Sequence, residues 1–206
     1  MKTLIKFSIV LSLALATLGR HTSAQALFMS KFNGYGASAS FVNMEGCLQT
    51  NVDIFTNEGM LKEGQGKPKP VSNINIYISR YDLCENVQVL YVDAVTVLPE
   101  PDLQIATKLQ EATLSTTLNV TDTVTGNTFD MVIDIAWVGM GPTTRARHNF
   151  RFGDATCRFQ DKYNAIERGA VATGTVWYGT ENLTPEPSVG GLLISSNGRI
   201  TAIGCN

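Results

Sequence analysis

Apolar and polar residues alternate with period two along much of this chain, the pattern of half-buried strands. The clearest case lies between Glu111 and Val138. Ala112, Leu114, Leu118, Val120 and Val124 share one face, while Thr113, Ser115, Thr117, Asn119, Thr121 and Thr123 share the other. Past Thr125-Gly126-Asn127-Thr128, a second row forms from Phe129, Met131, Ile133, Ile135 and Trp137, with Asp130 and Asp134 opposite. Gly126 and Asn127 both tolerate positive φ, so the spacing predicts a hairpin with a two-residue turn. That turn sets Val124 against Phe129, Val120 against Ile133 and Leu118 against Ile135. A slip of one residue would send the two apolar rows to opposite faces, so the pattern itself specifies the register.

A second hairpin is predicted near the end, where Ser196-Asn197-Gly198-Arg199 separates Leu192–Ser195 from Ile200–Ile203. Asn-Gly is the strongest short hairpin signal. Further strands are expected over Phe41–Gln49, Asn73–Arg80, Val87–Leu98, Arg147–Phe152 and Ala170–Tyr178, many rich in Val, Ile, Thr and Tyr. Gly59–Pro70 reads as a polar loop, and Asp102–Gln110 as the one short helix. The sum is an all-β chain: an antiparallel β-sandwich, with a β-barrel as the alternative.

The stretch DIAWVGMGPTTRARHNFRF, Asp134–Phe152, carries the strongest chemical signals. Two glycines and a proline at Gly139–Pro142 predict a turn after Trp137. A phosphate loop is excluded, because the further glycine, lysine and following helix are missing. Alternation then resumes. Arg145, Arg147, Asn149 and Arg151 point one way; Ala146, His148, Phe150 and Phe152 point the other. His148 therefore travels with an apolar row, as a packed or rim histidine with a hydrogen-bond partner. The arginines form a stripe with side chains about 6–7 Å apart. Such a stripe either pairs with acids such as Asp130 and Asp134 or binds sulfate, phosphate or carboxylate groups.

Charge sharpens that alternative. The chain opens with Lys2 and Lys6, an apolar run from Phe7 to Leu18, and small residues at Thr22–Ala26. This is the layout of a secretory signal peptide, expected over residues 1–24, with one β domain over 25–206. The apolar run is shorter than the roughly 20 residues a membrane span needs, so no span is expected after signal removal. Removing Lys2, Lys6 and Arg20 leaves 13 basic and 18 acidic side chains, a net charge of −5. That balance argues against general nucleic-acid binding. Yet residues 141–170 hold six basic and three acidic side chains, a local excess of the opposite sign.

All four cysteines, Cys47, Cys84, Cys157 and Cys205, lie beyond the signal. In an exported chain an even count predicts disulfides. Nearest neighbours give Cys47–Cys84 and Cys157–Cys205, with the two other pairings open. No C-x-x-C and no calcium loop occurs, so no metal or other cofactor is expected.

Catalytic patterns are thin. There is no G-x-S-x-G, and His148 is the one histidine beyond the signal. Asp130 and Asp134 share a face about 13 Å apart, wider than the roughly 5–9.5 Å of glycosidase carboxylate pairs. Asp122, the one charge on the apolar row, reads as a solvated strand end.

Two segments, Asp134-Ile-Ala-Trp137-Val-Gly139-Met-Gly141 and Arg168-Gly-Ala170-Val-Ala172-Thr-Gly174-Thr-Val176, resemble a loose set of exported bacterial all-β proteins of similar length. The resemblance implies export and a mostly β fold, and brings no activity with it. Ala170, Ala172 and Gly174 on one face suggest close packing, and Arg168 beside them a structural contact. The functional expectation is a secreted or periplasmic, non-enzymatic β-domain. Its partner is an anionic glycan or envelope polymer, or another extracellular protein, met through Arg145, Arg147 and Arg151. The alternatives are a polysaccharide hydrolase using carboxylates from separate strands, and a structural matrix protein.

Overall fold

The computed structural model describes residues 29–97, 102–153, 158–188 and 190–203. The expected signal segment, Leu98, Cys157 and Cys205 lie outside these residues. Eleven strands form one antiparallel sheet: β1 (Met29–Glu45), β2 (Leu48–Glu63), β3 (Lys69–Asp82), β4 (Val87–Val97), β5 (Leu103–Ile105), β6 (Glu111–Thr121), β7 (Thr128–Gly139), β8 (Thr144–Gly153), β9 (Arg158–Tyr178), β10 (Glu181–Asn182) and β11 (Gly190–Ile203). The order is β4-β3-β2-β1-β11-β9-β7-β6-β5, with β8 and β10 paired to β9 beside this path.

The two ends of the path come back together. Thr123 N–H, just past β6, donates to the Tyr91 carbonyl on β4 at 2.8 Å. Tyr91 N–H donates to the Asp122 carboxylate at 3.1 Å, and Leu103 N–H on β5 donates to Glu58 on β2 at 2.7 Å. These are single bonds rather than a ladder, so the sheet wraps one core in a sandwich-like form without closing into a barrel.

The core is built from the alternating rows. Ile74, Ile76 and Ile78 of β3 share one buried cluster with Leu114, Ile133 and Ile135 from β6 and β7, all essentially without exposure. Each such aliphatic side chain stabilises the fold by about 1.5–3 kcal/mol. Trp137 is fully buried, and its indole N–H donates to the Ser38 carbonyl at 2.8 Å. Small residues of β9 and β11 make room for it. Ala172 is its direct cross-strand neighbour, and a Cβ added at Gly191 would lie 3.3 Å from the indole ring. Arg168 also has a structural setting: its side chain lies against Gly139, and Nη1 reaches the Lys108 carbonyl at 3.5 Å.

The Cys47–Cys84 disulfide is present, with 5.6 Å between Cα atoms. It joins the β1–β2 turn to the β3–β4 turn. Asp82 supports that junction by accepting from the N–H groups of Cys84 and Glu85.

Several local expectations are corrected. The β6–β7 pair has Val120 against Phe129, Leu118 against Met131 and Thr116 against Ile133, four positions from the predicted register. The cause is Asp122, which accepts from Val124 N–H and the Thr125 hydroxyl and holds 122–127 as a longer loop. The shift is even, so the apolar rows still face each other. Asp122 itself is 1% exposed rather than solvated.

Asn197-Gly198 makes no turn. β11 runs straight through it with normal negative φ, because β1 and β9 ladder it on both sides. Gly139–Pro142 does not reverse the chain either: β7 and β8 run in the same direction along one edge of β9. Four residues, Met140–Thr143, stand against two, Arg168 and Gly169, so this is an insertion within a long edge. The Phe41–Gln49 strand is split by a turn at Gly46, whose φ is 60°. The expected loop at Gly59–Pro70 shrinks to residues 64–68. Residues 102–110 give β5 and a single 3-10 turn, Thr107–Leu109, in place of the helix.

Candidate functional site

The sheet outruns its core. Core residues come from the second half of β1, the first half of β2, the start of β11 and the second half of β9. The remaining halves of these four strands, together with β8, project past the core as a ribbon. Along β9, Ala172 and Ala170 face the core. The same side continues beyond it as Ile166, Asn164, Lys162, Gln160 and Arg158. On this side the ribbon is solvent-facing.

Strand register then assembles its chemistry, since directly paired residues point to the same face. Asn149 of β8 stands opposite Lys162 of β9, Lys162 opposite Arg199 of β11, Arg199 opposite Lys31 of β1, and Lys31 opposite Lys62 of β2. Four cations therefore lie side by side across four strands. The next row toward the core runs Arg147, Asn164, Asn197, Asn33 and Met60; the one beyond it runs Arg145, Ile166, Ser195, Tyr35 and Glu58. On the far side of the cation row, Arg151 pairs with Gln160.

The three expected arginines are thus exposed and share a face, now joined by Arg158, Lys162, Arg199, Lys31 and Lys62. Eight of the 13 cations beyond residue 24 gather on this surface. Glu58 shares this face by register but is turned to other work at the core edge. It accepts from Leu103 N–H and the Ser72 hydroxyl, and burial pushes its carboxyl above the usual range against those hydrogen bonds. Among the described residues none of the eight cations is in an ion pair; the two pairs present are Arg80–Glu181 and His148–Asp161. The expected pairing with Asp130 and Asp134 does not occur. Those acids lie on β7, where Asp130 accepts from Asn119 at 2.9 Å. Arg147 Nε instead donates to Asn164 Oδ1 at 2.8 Å.

The reverse side of the ribbon is different. His148 stacks on Tyr163, its cross-strand partner, with ring centroids 5.0 Å apart, and its Nε2 meets Asp161 Oδ2 at 3.0 Å. The imidazole side chain is 35% exposed. Phe150 and Phe152 continue this row but are largely exposed, so the row is a rim rather than a core. Burial, followed by the Glu167 charge, pushes the Tyr163 phenol up to about 12. A phenol shifted that way keeps its proton and is the opposite of an activated nucleophile. His148 therefore has an acid beside it, Asp161, but no activated nucleophile in Tyr163.

Lys31, Lys62 and Arg199 carried no signal in the sequence, because their strands join Lys162 only through the pairing of β9, β11, β1 and β2. The local charge excess over residues 141–170 was the single signal available. No family model, no curated protein and no solved structure matches the chain.

Proposed function

We propose that this protein is an exported, non-enzymatic β-domain that binds an anionic extracellular or cell-envelope glycan through the basic face of its ribbon. The observation carrying this reading is the concentration of eight cations on one face of a chain whose acids outnumber its bases beyond the signal. Like charges directly opposite on neighbouring strands are destabilising. A row of Lys162, Arg199, Lys31 and Lys62 is thus a standing cost to the fold that a bound polyanion would relieve. Each contact is at least partly exposed and individually weak, so affinity comes from their number and falls with salt. Export is supported by the amino-terminal charge and hydropathy pattern.

The test is calorimetric titration of the secreted chain with acidic polysaccharides at low and high salt. Binding that weakens with salt, and is lost when Arg145, Arg147, Arg151, Lys31 and Arg199 are changed together to Ala, agrees with the reading. Unchanged binding in that variant removes it.

A further inference from the structure

We propose that the bound polymer lies across the strands, not along them, and that it is a polyuronate: a polysaccharide with a carboxylate and free hydroxyls on every sugar. This rests on the glycan-binding reading above and adds orientation and chemistry to it. Neighbouring strands are about 4.8 Å apart, so Lys162, Arg199, Lys31 and Lys62 present a cation at each strand step over about 15 Å. A matching chain carries its charges densely, along a line perpendicular to the strands. A chain running along β8 would meet Arg145, Arg147 and Arg151 alone.

The adjacent row gives the second half of the match. Asn164, Asn197 and Asn33 stand side by side about 6.5 Å from the cations, two residues nearer the core. All three are exposed. An amide offers donors and an acceptor together. That suits hydroxyl groups, which do both, whereas a carboxylate or phosphate oxygen accepts only. Cations in one row and amides in the next therefore read a polymer that offers both acids and hydroxyls within one sugar's reach. Tyr35, half-exposed in the following row, extends the same strip.

The test uses the full secreted chain and five probes: polygalacturonate, the same polymer extensively methyl-esterified, dextran sulfate, polyphosphate and oligo-deoxythymidine. Polygalacturonate is expected to bind at least tenfold tighter than its esterified form. Asn33→Ala with Asn197→Ala should weaken polygalacturonate about tenfold, the effect of about two lost hydrogen bonds, and leave polyphosphate unchanged. Lys31→Ala with Arg199→Ala should weaken every polyanion, and more than Arg145→Ala with Arg151→Ala does. All these side chains are exposed, and thermal melting verifies that each variant folds. Equal affinity for polyanions of equal charge, a silent amide variant, or a larger effect from the β8 arginines overturns the inference while leaving the glycan reading standing. Tighter binding of the oligonucleotide overturns both, as does no binding by any probe.

Discussion

Lys31 and Arg199 stand directly opposite one another across β1 and β11, with Lys162 and Lys62 flanking them in the same row. Their mutual repulsion works against the sheet, so relieving it is expected to stabilise the free protein. Arg199→Gln should raise unfolding free energy by about 0.2–1 kcal/mol at low ionic strength. The gain should shrink in concentrated salt, where exposed charges are screened. The same substitution should weaken binding of an acidic polysaccharide. Urea unfolding at two salt concentrations, beside a binding titration, checks both signs. A loss of stability at low salt would show that Arg199 has a structural task on β11.

Asp122 closes the junction between the β6–β7 loop and β4. Burial pushes its carboxyl up, but the Thr125 hydroxyl and the N–H groups of Tyr91, Val124 and Thr125 together outweigh that effect and hold it below the ordinary value of 3.8. A lowered folded-state value means that the carboxylate's stabilisation is complete above about pH 4 and is lost as pH falls through the folded value. Asp122→Asn should cost about 1.5–3 kcal/mol at neutral pH, since charge-assisted hydrogen bonds become weaker neutral ones. As pH falls through the folded value the native carboxyl becomes protonated too, and the two proteins should converge. Chemical unfolding across that range measures the convergence.

Glu58 has the opposite sign. Burial dominates and raises its carboxyl above 4.5, with Asp102 adding to the rise and the Leu103 N–H and Ser72 hydroxyl opposing it. The folded state therefore holds this proton more tightly than the unfolded chain. Its contribution is full below pH 4.5 and declines as pH rises through the folded value. Glu58→Gln keeps an oxygen for Leu103 N–H and carries no charge. It should equal the native protein below pH 4.5 and exceed it in melting temperature at neutral pH. A variant that is less stable at neutral pH would show that the carboxylate is needed in its charged form.

What could be read from sequence was set by how local each cause is. Facing rows such as Leu114, Leu118 and Val120 against Ile133, Ile135 and Trp137 follow from period two alone, and they hold. Their register depended on the side chain of Asp122, whose partner Tyr91 lies 31 residues away. Asn197-Gly198 carries a strong local turn signal, but β1 and β9 supply ladder bonds on both sides that a turn would forfeit. Arg145, Arg147 and Arg151 were legible because one strand carries them. Lys31 and Arg199 come from opposite ends of the chain, and the row they form exists only once β11 lies between β1 and β9.

Gly34 and Gly59 pair directly across β1 and β2, at the point where the ribbon leaves the core. A Cβ on Gly34 would overlap the Glu58 carbonyl oxygen and lie 2.7 Å from the Gly59 Cα. A Cβ on Gly59 would reciprocally overlap the Asn33 carbonyl and lie 2.7 Å from the Gly34 Cα. Apart from the Phe32 ring, also 2.7 Å from the Gly34 Cβ, these obstacles are backbone atoms, which cannot rotate aside as a side chain would. Gly34→Ala must push β1 and β2 apart between the row of Tyr35 and Glu58 and the row of Asn33 and Met60. Forced overpacking of this kind costs about 1–3 kcal/mol. Gly46→Ala offers a contrast: its Cβ meets nothing, and its strain comes only from a φ of 60° in the β1–β2 turn. Both variants should melt earlier than the native protein, but Gly34→Ala alone should weaken polyanion binding, because it alone moves Lys31 and Asn33 relative to β2. Native affinity in Gly34→Ala would mean that the basic face works without the close approach of these two strands.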